Sequence, residues 1–261
     1  MTTMPLLEVK SLTKNFGGLA AVSHVDLHLD TNELVGLIGP NGAGKTTLFN
    51  LLTGVYEPSE GEVLFETQGK PKRLNGVKPY KIADLGLSRT FQNIRLFKNL
   101  TVMDNVLIAM NSKHKEGLLT SILRLPKYYK NEESMKKKAL ELLRIFDMDG
   151  KSQTLAKNLP YGEQRRLEIV RALATEPKIL FLDEPAAGMN PQETTELTKL
   201  IYKIQKDFQL TILLIEHDMS LVMEVCERIY VLEYGQVIAH GEPEEIKNNP
   251  RVIEAYLGGE I

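Results

Sequence analysis

Apolar residues along the chain follow two different periods. Short runs rich in leucine and β-branched residues recur at LEVKSLTKNF, ELVGLIG, EVLF, KILFLDE, LTILLIEH and RIYVLEYG, and most are followed by segments of helical spacing. That alternation predicts an α/β fold. LVGLI and ILFL are apolar on both faces, the pattern of central parallel strands covered by helices on either side. The N-terminal strands and the late VLEYG/QVIAHG pair alternate more strictly, which predicts that part of the sheet is antiparallel. Between about 93 and 160 the period changes. Val102, Val106, Leu107 and Met110 share one helical face, and Met135, Ala139, Leu142, Leu143 and Phe146 share another, with no strand-like run between them. The expected organisation is an α/β core of residues 1–92 and 162–261 with an α-helical subdomain, residues 93–161, inserted in it. The segment NEESMKKK (131–138) sets Glu132 and Glu133 one turn before Lys136 and Lys137, which predicts a solvated helix face.

Composition narrows the function classes. Lys+Arg total 32 against Asp+Glu 34, so nothing in the charge balance calls for a nucleic-acid partner. The only cysteine, Cys226, lies in an apolar helical stretch, so no intrachain disulfide forms and a reducing compartment, the cytoplasm, is expected. The apolar runs fall far short of the ~20 residues that cross a bilayer. Any membrane role is therefore expected to be borrowed from a partner. The N-terminus lacks the basic start and long apolar core of a secretory signal.

Candidate chemistry centres on GPNGAGKTT, residues 39–47: Gly39, Pro40, Asn41, Gly42, Ala43, Gly44, Lys45, Thr46 and Thr47. The spacing GxxxxGK[S/T], after a strand and before a helical pattern, is that of a phosphate-binding loop, so the fold expected is a P-loop NTPase. Its glycines let backbone N–H groups face phosphates at a helix N-terminus. Lys45 is expected to reach the β and γ phosphates and Thr46 to ligate Mg²⁺. Asp183 ends the run ILFL, and ligand groups in open α/β sheets gather at the carboxyl ends of strands. Asp183 is thus the expected metal-side acid and Glu184 the general base that activates water. His217 ends another apolar run and would reach the same edge, but a polar residue closing a strand is common, and the spacing alone leaves a γ-phosphate contact open. His24, His28, His114 and His240 have no metal-ligand spacing to one another.

Taken together these motifs resemble the ATP-binding-cassette ATPases. GPNGAGKTT is similar to their Walker A, ILFLDEP to their Walker B with its glutamate, and LPYGEQRRLEIVRAL to their signature motif and helix. Gln92 in RTFQN matches the Q-loop and His217 the switch histidine. Phe16 in KNFGG stands where the family has an aromatic that stacks on adenine. The resemblance runs from about Leu7 to Leu257. Within the family, YGEQRRLEI, AAGMNP and the long 111–135 stretch resemble the LivG-type ATP-binding subunits of branched-chain amino acid importers. Cassettes for urea and for lipopolysaccharide export carry similar stretches, and non-transport cassette ATPases are the further alternative.

The resemblance implies hydrolysis of ATP with Mg²⁺, Gln92, Glu184 and His217 acting in catalysis and Thr46, Gln92 and Asp183 serving the metal. It implies a second ATPase subunit whose phosphates meet Tyr161, Gly162 and Glu163 of this chain, and two integral-membrane permease subunits on the inner face of the cell membrane. Leu96, Phe97 and Val102 are expected near the groove that receives a permease helix. Two motifs depart from the family pattern, at three residues. Pro160 stands where a phosphate-donating serine is usual, followed by Tyr161 in place of glycine, and Asn190 stands where the D-loop usually has aspartate.

Overall fold

The computed structural model describes residues 4–111 and 126–257. His114, and residues 112–125 of the 111–135 stretch, lie outside the described residues. Two sheets form. β1 (Leu7–Phe16), β2 (Leu19–Leu29), β4 (Glu60–Thr67) and β5 (Lys70–Arg73) pair antiparallel in the order β2-β1-β4-β5. β3 (Leu34–Ile38), β6 (Leu87–Arg89), β7 (Ile179–Asp183), β8 (Thr211–Ile215), β9 (Arg228–Glu233) and β10 (Gln236–Gly241) form the second sheet in the order β10-β9-β3-β8-β7-β6. All its pairs are parallel except the β9–β10 hairpin. The antiparallel strands at the N-terminus therefore make a separate sheet instead of extending the parallel one. Three strands escape a reading of periodicity: β5 (KPKR) is exposed throughout, β6 has only three residues, and β2 begins with exposed positions.

β3, β7 and β8 are buried at every position, which is what strands covered on both faces require. Alternate residues part between two cores. Leu34, Ile38, Leu180, Leu182, Ile212 and Leu214 face one. Val35, Leu37, Ile179, Phe181, Leu213 and Ile215 face the other, which is closed by the antiparallel sheet and by α1 (Lys45–Leu52), with Phe49 edge-on to Phe181 at 5.5 Å. The first core is closed by α3 (Val102–Asn111), α4 (Pro126–Ile145), α5 (Tyr161–Leu173), α6 (Pro191–Asp207) and α7 (Met219–Val225). α2 (Pro79–Asp84), α8 (Pro243–Lys247) and α9 (Pro250–Leu257) complete the described α-helices. α7 approaches β3 so closely that a Cβ on Gly36 would meet Val222 Cγ1 at 3.0 Å and Cys226 Sγ at 3.1 Å.

Between 93 and 161 the described elements are helices joined by loops, with no strand among them and one bridge, Thr101 to Leu155. α3 packs against α4 and α5 through Val102, Val106, Met110, Ala139, Leu143 and Phe146. Lys136 pairs with Glu132 at 2.8 Å on the solvated face of α4. Thr101 and Asp104 cap α3 reciprocally: Asp104 N–H donates to Thr101 Oγ1 at 3.0 Å and Thr101 N–H to Asp104 Oδ2 at 3.3 Å. Leu96 and Val102 are spent in this core, so they do not line the neighbouring groove. Phe97 stays exposed, with the Arg171 guanidinium 5.0 Å from its ring centre.

Asn105 is wholly buried and ties the preceding loop to α3. Its Oδ1 accepts the Phe97 N–H at 2.9 Å, and its Nδ2 donates to the Phe97 and Thr101 carbonyls at 3.1 and 2.9 Å. Asn105→Leu fills similar space but strands those backbone groups without water. It is expected to lower unfolding stability by about 2–4 kcal/mol in urea titrations, and a change near zero would show that the loop finds other partners.

Candidate active site

β3 ends at Ile38 and the chain turns through residues 39–44 into α1. Two glycines make this turn possible. Gly39 has φ +149°, and a Cβ there would fall 2.0 Å from the Leu232 carbonyl oxygen. Gly44, the N-cap of α1, has φ +98° and would bring a Cβ within 2.5 Å of the Ala21 carbonyl oxygen. The loop is pinned from the β9–β10 turn, where Gly235 N–H donates to the Ala43 carbonyl at 2.9 Å. Lys45 opens α1 and folds back, Nζ donating to the Gly39 and Pro40 carbonyls at 2.6 and 3.0 Å. Burial draws its ammonium below the ordinary lysine value, and Glu184 opposes the shift.

A cleft of about 360 Å³ lies over this loop. Asn41, Gly42, Ala43, Gly44, Lys45, Thr46 and Thr47 line it together with Glu184 and His217, while Gly39 and Pro40 sit behind Lys45 as its acceptors. Leu19 and Tyr234 stand exposed at its mouth, and neither was singled out by the sequence. Phe16 is not part of the lining. It pairs with Leu19 across the β1–β2 turn and its exposed ring meets Tyr56 edge-on at 5.4 Å.

Residues far apart in sequence meet at Glu184. Its backbone is held at φ +47°, a left-handed conformation that costs a non-glycine residue roughly 1–3 kcal/mol. Its N–H donates to the Ile215 carbonyl at 2.9 Å, which fixes the turn. Gln92 Nε2 donates to Glu184 Oε2 at 2.9 Å, and His217 Nε2 lies 2.8 Å from Oε1. A carboxylate only accepts, so the hydrogen of that second bond belongs on His217 Nε2. Beside it, Asp183 ends β7 with a side chain only 2% exposed and accepts Arg89 Nη2 at 2.9 Å. Burial pushes the Asp183 carboxyl above its ordinary range and Arg89 opposes this.

Two further buried groups brace the site, and the sequence did not single them out. Glu216 accepts the Ala186 N–H at 2.7 Å and the His217 N–H at 3.2 Å, joining the turns after β7 and β8, and burial pushes its carboxyl up. On α5, Arg165 and Glu168 pair at 3.3 Å with both side chains buried. Arg165 donates to the carbonyls of Phe91 (2.7 Å) and Gln92, and Glu168 accepts the N–H groups of Phe91 and Arg95 at 3.4 and 3.3 Å. The backbone around Gln92 is thus held by the helix that begins at the signature motif. The i, i+3 spacing on one helical face is the signal that could have exposed this pair.

Tyr161, Gly162 and Glu163 form the first turn of α5, and none of them lines the cleft of this chain. Pro160 is the N-cap, where its fixed φ suits a helix start. The Tyr161 ring packs on Gly188, Gly162 faces the Glu193 carboxylate, and Glu163 pairs with Lys151. Asn190 caps α6: Oδ1 accepts the Glu193 N–H at 3.0 Å and its own N–H donates to Glu193 Oε2 at 3.0 Å. The amide in place of aspartate therefore retains the capping function.

Lys45→Ala removes the one lysine or arginine among the residues that line the cleft and, among the described hydrogen bonds of its side chain, breaks those to two loop carbonyls. Equilibrium titration should show tight ATP binding lost with the circular dichroism spectrum unchanged, and parental affinity would refute the phosphate-loop assignment.

Residues 22–187 match the family described as ABC transporter, and residues 236–261 match the family described as branched-chain amino acid ATP-binding cassette transporter. The high-affinity branched-chain amino acid transport ATP-binding protein LivG of Escherichia coli is 48% identical over 98% of this chain and 99% of its own. The corresponding protein BraF of Pseudomonas aeruginosa is 44% identical over 97% of this chain and 98% of its own. A solved ATP-binding cassette of an ABC transporter in its ADP conformation superposes with a TM-score of 0.82 at 32% identity, covering 98% of this chain and 100% of that one. With a phosphate loop, an acidic pair and a histidine drawn to one edge of a parallel sheet, the chain belongs to the ATP-binding-cassette ATPases of ABC transporters.

Proposed function

We propose that this ATPase powers a branched-chain amino acid importer, working as one of two cassettes, identical or sister, beneath two integral-membrane permease subunits on the inner face of the cell membrane. The observation that carries the catalytic part is the meeting of Gln92, Glu184 and His217 beside the Lys45 cleft. The names of the relatives at 44% and 48% identity support the solute class.

The chemistry follows from the residues. Lys45 and the N-terminus of α1 bind the β and γ phosphates, and Phe16, across the β1–β2 turn from the cleft-lining Leu19, is the aromatic for the adenine. Glu184 takes a proton from the attacking water as the water oxygen bonds to the γ phosphorus and the bridging oxygen leaves with ADP. His217 and Gln92 each donate to one Glu184 oxygen and so orient the carboxylate toward the cleft. Thr46, Gln92 and Asp183 offer oxygen ligands of the kind Mg²⁺ takes, and the buried Asp183 carboxylate is engaged by Arg89 through Oδ2 alone. When bound, the ion supplies charge neutralisation at the β and γ phosphates.

The position of Tyr161, Gly162 and Glu163 away from this cleft supports a phosphate site completed by a second chain. A groove of about 500 Å³ beside Gln92, lined by Val55, Tyr80, Ile82, Phe91 and Arg171 among others, supports the seat of a permease segment.

Glu184→Gln keeps the shape of the side chain but removes the base. Hydrolysis is expected to slow by ~10²–10⁴-fold, and light scattering should show ATP, but not ADP, holding two chains together. A variant that stays monomeric with ATP, both alone and with the sister cassette, would sink the shared-site mechanism.

A further inference from the structure

Asp183 does not stand alone at the end of β7. Every nitrogen of the Arg89 guanidinium is engaged around it: Nη2 with Asp183 Oδ2 at 2.9 Å, Nη1 with Asn50 Oδ1 at 2.6 Å and Thr53 Oγ1 at 3.1 Å, and Nε with the Thr90 carbonyl at 3.3 Å. The guanidinium carbon lies 5.6 Å from the ring centre of Phe49 and 5.0 Å from that of Phe91. The arginine side chain is 10% exposed and the aspartate 2%, so the pair is desolvated and its geometry fixed.

The register of the sheet explains the meeting. Arg89 closes β6 opposite Phe181, two residues before Asp183 on β7. Besides Asp183, its side-chain partners are Asn50 of α1 and Thr53, the C-cap of that helix; Thr46, Asn50 and Thr53 stand at i, i+4 and i+7 and share one helical face. The arginine therefore grips the same stripe of α1 that begins with Thr46. A guanidinium can hold partners on two elements at once through its rigid fork, whereas an ammonium acts as a point charge.

We infer that Arg89 is a positioning residue for the metal side of the nucleotide site: by bridging Asp183 to the Asn50–Thr53 face of α1, it sets the Asp183 carboxylate in fixed relation to the Thr46 hydroxyl. The inference rests on the proposed role of Asp183 and Thr46 as oxygen donors to Mg²⁺. Arg89 meets the Asp183 carboxylate through Nη2 at Oδ2 alone, and no described hydrogen bond engages Oδ1, which leaves that oxygen for the cation. Groups that orient metal ligands change metal affinity by ~10–100-fold when they are removed. Arg89, Thr53 and Phe91 also line the groove beside Gln92, so the bridge spans the layer between groove and cleft.

The test is the Mg²⁺ dependence of nucleotide binding, read with a fluorescent ATP analogue titrated in EDTA and at rising Mg²⁺, for the parent, Asp183→Asn, Arg89→Gln, Arg89→Lys and Asn50→Ala. Arg89→Gln should require ~10–100-fold more Mg²⁺ for half of the metal-dependent gain in affinity, with affinity in EDTA unchanged. Arg89→Lys should recover only part of the difference. Asn50→Ala, which leaves both charges but removes an anchor on α1, should shift in the same direction by less. A folded Arg89→Gln protein with parental Mg²⁺ dependence overturns the inference. If that variant does not fold, parental behaviour of both Arg89→Lys and Asn50→Ala overturns it. Parental Mg²⁺ dependence in Asp183→Asn would instead remove the metal assignment beneath it.

Discussion

The site depends on the parallel hydrogen-bonded register of β3, β8 and β7. Leu37 of β3 and Asp183 of β7 both pair with Ile215 of β8, so the three strands end at one level. The turns that leave these strand ends therefore share one edge: the loop from Gly39, the pair Asp183 and Glu184, and the pair Glu216 and His217. The register is strict because every position of these strands is buried and alternate side chains enter different cores. A slip by one residue would exchange the two sets. Hydrophobic burial, which carries no chemistry itself, thus sets where the chemistry occurs.

Around that edge, buried charges are each met by a specific partner. Lys45 has two loop carbonyls, Asp183 has Arg89, Glu216 has two backbone N–H groups, and Arg165 has Glu168. Removing one member of such a pair leaves a charge stranded away from water, at about 3–5 kcal/mol, although a well-packed apolar replacement of the whole pair can be neutral. These contacts are better understood as orienting devices than as the source of stability. The left-handed backbone of Glu184 fits the same view, a strained conformation maintained by the Ile215 carbonyl and by donors on both carboxylate oxygens.

α5 links these parts. Its first turn carries Tyr161 and Gly162 against Gly188 and Glu193, next to the start of α6, and its second turn holds the Phe91 and Gln92 carbonyls through Arg165. Gln92 in turn donates to Glu184. A displacement of the signature turn therefore has a continuous packed route to the Glu184 carboxylate, through side chains that are hydrogen-bonded along its length.

The sequence alone determined the parts whose signal is local. A glycine-lysine loop between strand and helix, an acidic pair after an apolar run and the change of period near residue 93 are properties of short windows, and each has a mechanism that needs only a few neighbouring residues. Lys45 and Glu184 were legible on that basis and His217 through the family resemblance, and the three share one cleft. The tertiary structure alone decided the rest. Arg89 reads as an ordinary charged residue at a strand end until β6 pairs with β7 beside α1. Glu168 and Glu216 look like solvated acids until burial and backbone donors surround them, and Leu96 and Val102, apolar enough for a docking surface, are consumed by the helical core. Phe16 and Tyr234 take their places from hairpin geometry, not from spacing. A contact between distant residues depends on strand order and register, and those follow from the packing of the whole chain, which no short window records.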